Sequence, residues 1–475
     1  MHQARQAGSS TGMANIPDLL DTLKKDAIVA PHDPGKARRF IEEYEKRPVV
    51  DDDLQAIYLK LKYFHDPAKH TYLNRIGKLY LESRKPYLAA LCFLESVRLH
   101  PAQPEIYRIF EGIRDSLQPV PYRGAAGHET LVSVIMGTYN RSTEILESVE
   151  SVLGQTEQDF ELIVINDGGE VDVEDLLRHR NSPKIKCHKL QENMGHAAVL
   201  NEGVRRSKGR FIAYLDDDDV YYPNHLELLL NALREGENQI AYSNTKMVTG
   251  SMADGRFRAE DIKGFWNVEY DKNKLIANNF ISNLSVLHEK SVFSEVGLFV
   301  EDLRVVMDWE LWLRASLKYD FSHVDAYTGE YRFKATNITT TNCLLMDFYA
   351  ELVRNYYLYY RGLVAKLKYL SWKGMTEDAR MIYSEIRDGY KEYFKSPDSF
   401  EELFKLSSYY HDDAFSNEIA VDYFNRNTRG YLKYVNESKR YGLLVPVSHL
   451  IPKKVLKVLR KRLERNTPKR ILPEL

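Results

Sequence analysis

Between residues 131 and 215 short apolar runs alternate with amphipathic stretches, and this alternation limits the fold more than any other feature of the chain. "LVSVIM" (131–136), "FELIVI" (160–165) and "RFIAYL" (210–215) read as buried strands, and "IKCHKL" (185–190) as a weaker one. Between them lie "STEILESVESVLGQ" (142–155), with Ile145, Val149, Val152 and Leu153 at helical spacing and Ser142 as N-cap, "EVDVEDLLRHR" (170–180), and "HAAVLNEGVRRSKG" (196–209), closed by Gly209. Strands joined through helices give right-handed crossovers and a parallel sheet covered on both faces. Ligands of such sheets bind beyond the carboxyl ends of the strands. The polar clusters "MGTYN", "NDGG" and "DDDD" all fall at those ends.

The aspartates at 216–219 are the sharpest of the three clusters. Two carboxylates about 4 Å apart repel by roughly 4 kcal/mol near a protein surface. Four in a row behind a buried strand therefore imply a countercharge.

The rest of the chain is organised around this segment. Residues 16–117 read as helices. Within "LNRIGKLYLESRKPYLAALCFLESVRLHP", Leu73, Ile76, Gly77, Tyr80, Ala89, Phe93 and Pro101 have tetratricopeptide-like spacing, which describes two antiparallel helices meeting through small residues. "QPVPYRGAAGHET" (118–130) is a linker. Residues 344–437 are helical and tyrosine-rich, a packing pattern rather than a chemical one. The expected domains are a helical tetratricopeptide-like unit at 13–118, an α/β unit at 130–342 and a helical C-terminal region at 343–475.

Charge is uneven along the 475 residues. From Ser438 onward 11 Lys/Arg face two Glu, so the tail carries +9 and the preceding body −11. Such a body argues against nucleic acid as a partner. In "IPKKVLKVLRKRLERNTPKR", Val455, Leu456, Leu459 and Leu463 form one stripe, suited either to an anionic membrane surface or to docking on the chain's own domain. The opening "MHQARQAGSSTG" lacks the apolar run of a secretory leader and reads as an appendage ahead of Met13; no window approaches a membrane span. Three scattered cysteines, Cys92, Cys187 and Cys343, suit a reducing compartment. The expected location is the cytoplasm, with peripheral contact to the inner membrane face through the tail. The helical N-terminal unit is a candidate surface for a protein partner.

Taken in order, "LVSVIMGTYNRS", "FELIVINDGG", "ENMGHAAVLNEGVRRSKG" and "RFIAYLDDDDVYYP", followed by "VGLFVEDLRVVMDWELWLRAS", closely resemble the family 2 glycosyltransferases. The resemblance covers residues 131 to roughly 335. It implies the GT-A fold, a Rossmann-like, mostly parallel sheet with helices on both faces, and inverting transfer from a nucleotide-sugar donor. By that resemblance Asp218 and, second, Asp216 hold a divalent cation (Mn²⁺ or Mg²⁺), while Asp217 and Asp219 contact the donor or tune the ligands. Thr138 and Tyr139 lie against the base, and Asp167 accepts the uracil imide N–H, which selects a UDP-sugar. Asn193 and Arg141 are further candidates for the donor pocket. Asp308 matches the family's catalytic base, with Glu310 in reserve and Met307 where Glu is common. Leu200 replaces an arginine frequent in the family. Trp309 and Trp312 suit packing better than stacking on a sugar. Arg332 and Lys334 of "YRFKATNITTT" are within reach of a diphosphate, and His323 is a poorly spaced third ligand. The acceptor would be a glycan or a lipid-linked oligosaccharide of cell-surface polysaccharide synthesis.

Two other classes compete. A sugar nucleotidyltransferase needs a glycine-rich, arginine-bearing loop after the first strand, and "MGTYNRS" has a single glycine. A catalytically degenerate scaffold would have no reason to keep Asp167, Asp216, Asp218 and Asp308 together.

Overall fold

The computed structural model describes residues 16–46, 52–100, 103–118, 120–122, 129–334, 337 and 341–358. Pro101, Met13 and the basic tail lie outside the described residues, as does everything from 359 onward.

Six helices come first: α1 (Ile16–Val29), α2 (Pro34–Lys46), α3 (Asp52–His65), α4 (Lys69–Glu82), α5 (Pro86–Leu99) and α6 (Pro104–Ile113). α5 is buried along its whole length from Tyr87 to Val97, which a helix apolar on every side must be. It packs antiparallel on α4, and the crossing is as close as the small-residue spacing predicts. A Cβ placed on Gly77 would stand 2.5 Å from Phe93 Cε1. Gly77→Ala is therefore expected to cost about 1–3 kcal/mol through overpacking, read as a lower denaturant midpoint at unchanged slope. The helix after the sheet, α14 (Cys343–Leu358), packs on α1, α3 and α5, with Leu344 in a cluster with Ala27, Phe40 and Leu61.

The α/β part runs β1 (Thr130–Thr138), α7 (Glu144–Leu153), β2 (Phe160–Asn166), α8 (Val173–Arg178), β3 (Ile185–Lys189), α9 (His196–Arg206), β4 (Gly209–Tyr214), β5 (Val220–Tyr221) and α10 (His225–Glu235). It continues through β6 (Ile240–Ala253), β7 (Arg256–Trp266), α11 (Lys272–Ala277), β8 (Val286–Glu289), α12 (Val292–Val296), α13 (Met307–Ser316) and β9 (Phe321–Phe333). One sheet runs in the order β3-β2-β1-β4-β8-β6-β9-β5, with β7 paired to β6.

β3, β2, β1 and β4 are mutually parallel, as the alternating pattern requires. β8 then enters antiparallel between β4 and β6, so the sheet is mixed beyond its first half. This is the GT-A arrangement. All seven residues of β2 are buried, whereas β3, at the edge, is only half-buried.

Two local expectations are corrected. Ser142 does not cap α7, which starts at Glu144 after Thr143, and Thr143 makes no side-chain cap bond. Gly209 does not end α9; it opens β4, where a Cβ would stand 2.4 Å from the Ser133 nitrogen of the neighbouring strand. The glycine serves strand approach rather than helix termination.

Candidate functional site

The three polar clusters meet at the carboxyl ends of β1, β2 and β4. Register places Thr138 opposite Asn166, and the Asp167 N–H donates to the Thr138 carbonyl at 2.9 Å. The chain can turn there because Gly168 takes φ +74°, with Glu192 and Asn193 packed where its Cβ would lie. The buried Asp167 carboxylate accepts the backbone N–H groups of Met194 (2.7 Å) and Gly195 (3.0 Å), which pins the loop carrying the exposed Asn193. Each oxygen keeps lone-pair capacity for one more donor. Tyr139 and Met194, 50% and 52% exposed, stand on the two loops that meet at Asp167. Such exposure of large apolar side chains suits a planar base.

The aspartates split into distinct environments. Asp216 Oδ1 lies 3.3 Å from His196 Nε2 at the start of α9. Burial works to raise the Asp216 carboxyl, but the adjacent imidazole more than offsets it and holds the group below the usual range. Asp218 faces Lys334 Nζ at 3.1 Å and Arg141 Nη2 at 3.4 Å. Arg141 also pairs with Glu144 at 3.2 Å. Asp217 is pushed up to about 7 by burial and then by Asp218, and its Oδ2 has no hydrogen-bond partner. Asp219 accepts the Arg332 N–H at 2.7 Å, has an equally unpartnered Oδ2, and is raised well above its ordinary value by burial. The Arg332 guanidinium pairs with Glu147 and lies over the Phe257 ring.

Asp308, on the first turn of α13, accepts from Asn279 Nδ2 at 3.2 Å, and burial raises it above the usual carboxylate range. A raised carboxyl is the better proton acceptor of the two kinds on this rim. The chain enters α13 through Val306 at φ +56°, a left-handed conformation costly for a β-branched residue.

Glu310, held in reserve as base, is corrected by its surroundings. It is 1% exposed, forms a two-point ion pair with Arg314 (2.7 and 3.1 Å), and accepts from Tyr87 (3.3 Å) and Tyr357 (2.6 Å). Buried and paired in this way, it is out of reach of an acceptor hydroxyl. Trp309 and Trp312 are buried, as the packing reading has it. The His323 ring nitrogens are held by Glu269 and Asn244. Leu200, where an arginine was looked for, is a buried residue of α9.

Sequence reading missed His196, Asn279 and Glu144. His196 was visible only as the first residue of a helix, and nothing in one dimension brings it to Asp216.

A divalent cation fits this donor set. Hard cations take carboxylate oxygens, and the orphaned Oδ2 atoms of Asp217 and Asp219, neighbours of the assigned ligands Asp216 and Asp218, mark buried carboxyls whose charge a cation beside them would relieve. Among the described residues no group of three or more His, Cys, Asp or Glu side chains could hold a metal by itself. The remaining oxygens would come from a ligand or from water.

Residues 133–293 match the family model Glycosyl transferase family 2. This stretch of the chain is similar to the family 2 glycosyltransferases. An uncharacterized glycosyltransferase of Rickettsia bellii is 32% identical over 211 residues, covering 44% of this chain and 30% of that protein. The Escherichia coli protein named UDP-Glc:alpha-D-GlcNAc-diphosphoundecaprenol beta-1,3-glucosyltransferase WfgD is 28% identical over 240 residues, covering 48% of this chain and 90% of its own. Four Rickettsia relatives are matched over 30%, 33%, 59% and 62% of their own lengths, so the chain spans less than two thirds of each. Asp308, Arg332 and Lys334 lie beyond the stretch matched by the family model. No helix among the described residues is long and apolar enough to cross a membrane.

Proposed function

We propose that this chain is an inverting, metal-dependent glycosyltransferase that moves a sugar from a UDP-sugar to a hydroxyl of a glycan or lipid-linked oligosaccharide in cell-surface polysaccharide synthesis. The single observation that carries the reading is the convergence on one rim of the strand-end aspartates with a separate, raised carboxyl, Asp308, on α13. The relative whose name includes UDP-Glc supports the donor class. A Bacillus subtilis relative named as a putative teichuronic acid biosynthesis glycosyltransferase, 27% identical over 214 residues, supports the setting.

In this reading Asp167 accepts the uracil imide N–H while Thr138 and Tyr139 lie against the base, with Asn193 on the loop above. Asp218 and Asp216 would hold the cation, which would supply positive charge for the departing diphosphate. Arg141 and Lys334, now paired with Asp218, are then available to the diphosphate oxygens, and Asp217 contacts the donor. Asp308 takes the proton of the acceptor hydroxyl. The acceptor oxygen bonds to the anomeric carbon from the face opposite the leaving group, and the anomeric C–O bond to the diphosphate breaks with its electron pair leaving on UDP. One displacement inverts the configuration.

Calorimetric titration of UDP tests the reading. Binding is expected to tighten at least tenfold with Mn²⁺, and Asp218→Asn is expected to remove that gain. Equal binding with and without Mn²⁺ would favour the scaffold reading instead. A panel of UDP-sugars scored by UDP release then separates hexosyl from N-acetylhexosaminyl donors.

A further inference from the structure

The root of the β6–β7 hairpin gathers aromatic rings that the donor chemistry does not use. Trp266 closes β7, and Tyr331 and Phe333 close β9. The Trp266 and Tyr331 rings are 5.4 Å apart and those of Tyr331 and Phe333 6.3 Å apart. All three are half-buried, and Tyr331 also packs against the hydrophobic core of the sheet. Polar groups adjoin the row: Lys263 Nζ covers one face of the Phe333 ring, 3.2 Å from its centroid, and the Asn337 amide donates to the Tyr331 hydroxyl at 3.3 Å.

Position ties this row to the proposed site. Trp266 lies cross-strand from Thr245, whose hydroxyl bonds Ser282 at 2.8 Å. Ser282 is three residues after Asn279, the partner of Asp308. At its other end the row stops one residue before Lys334, which pairs with Asp218. The row is thus joined through neighbouring residues to both the proposed base and the proposed cation site.

We propose that Trp266, Tyr331 and Phe333 form a platform for the pyranose rings of the acceptor glycan, a reading that rests on the proposed transfer to a glycan. The C–H face of a pyranose is apolar and slightly electropositive and stacks on a π face, while its hydroxyl rim needs polar partners such as Lys263 and Asn337. Several sugar units lying on the row would bring the terminal hydroxyl toward Asp308. Successive strand residues point to opposite faces, so Phe265, 47% exposed and 5.3 Å from Tyr327, belongs to the other face and provides a control.

The test uses the full chain with chitotetraose, laminaritetraose and cellotetraose as probes, followed by calorimetry, alongside Mn²⁺-dependent hydrolysis of the UDP-sugar. At least one tetramer is expected to bind saturably. Trp266→Ala should weaken that binding at least tenfold, Trp266→Phe should retain most of it, and Phe265→Ala should leave it unchanged. Donor hydrolysis should stay within twofold in all three variants, which also reports that they fold. Failure of all three tetramers to bind, or binding that survives Trp266→Ala, overturns the platform. Tetramer binding without any donor hydrolysis or metal-dependent UDP binding would instead remove the transferase reading and leave the platform standing.

Discussion

Asp308→Asn is expected to leave Mn²⁺-dependent UDP binding within twofold of the native protein and to lower turnover by about 10²–10⁴-fold, the range set by general-base catalysis. The substitution keeps the size of the side chain and one oxygen to accept from Asn279, so the start of α13 should not move. What it removes is the capacity to take a proton. Burial raises the native carboxyl, so its conjugate acid is weaker and its base stronger than an exposed aspartate. The same burial predicts that turnover falls as pH drops through a value above the ordinary aspartate range, because protonation silences the base. Stopped-time UDP release across pH, with calorimetry for UDP, measures both quantities. Turnover near the native level in Asp308→Asn would remove this residue as base.

The largest stability effect is expected at Arg314. Arg314→Met leaves the Glu310 carboxylate buried with two phenols and no cation, and removing one partner of a buried pair costs about 3–5 kcal/mol. Arg314 also donates to the Val296 and Leu298 carbonyls, so those acceptors lose a donor as well. The double change Glu310→Met with Arg314→Met removes the stranded charge and should recover much of the loss. Urea unfolding of the native chain, Arg314→Met and the double variant decides the matter. A single variant as stable as the native protein would show that the pair is not what holds α13.

Much of this could be read in one dimension, and the part that could not has a common cause. The apolar runs of β1, β2 and β4 announce buried strands, and the polar residues that stop them mark the rim. Gly77 and Phe93 gave the α4–α5 crossing because a helical pair is a local object. β8 was missed because "VLHE" is four residues long and its place between β4 and β6 depends on pairing between distant segments. Glu310 illustrates the opposite case: Arg314 four residues later on the same helix was a signal of an ion pair, and the acceptor-side resemblance drew attention away from it. His196, Asn279 and Arg332 reach their aspartates from separate elements, so no spacing in the sequence records them.

The Asp302 carboxylate accepts the Tyr87 N–H at 2.9 Å, at the first turn of α5. That bond makes the α/β part the cap of a helix in the layer before it, just as Tyr87 and Tyr357 supply phenols to Glu310 in return. The practical unit for expression and dissection therefore differs from the homologous segment. A fragment trimmed to residues 133–293 ends before α13, and one begun at 130 strands Glu310 without Tyr87 and bares the face that α5 covers. Fragments meant to report on chemistry should keep the helices on both sides of the sheet.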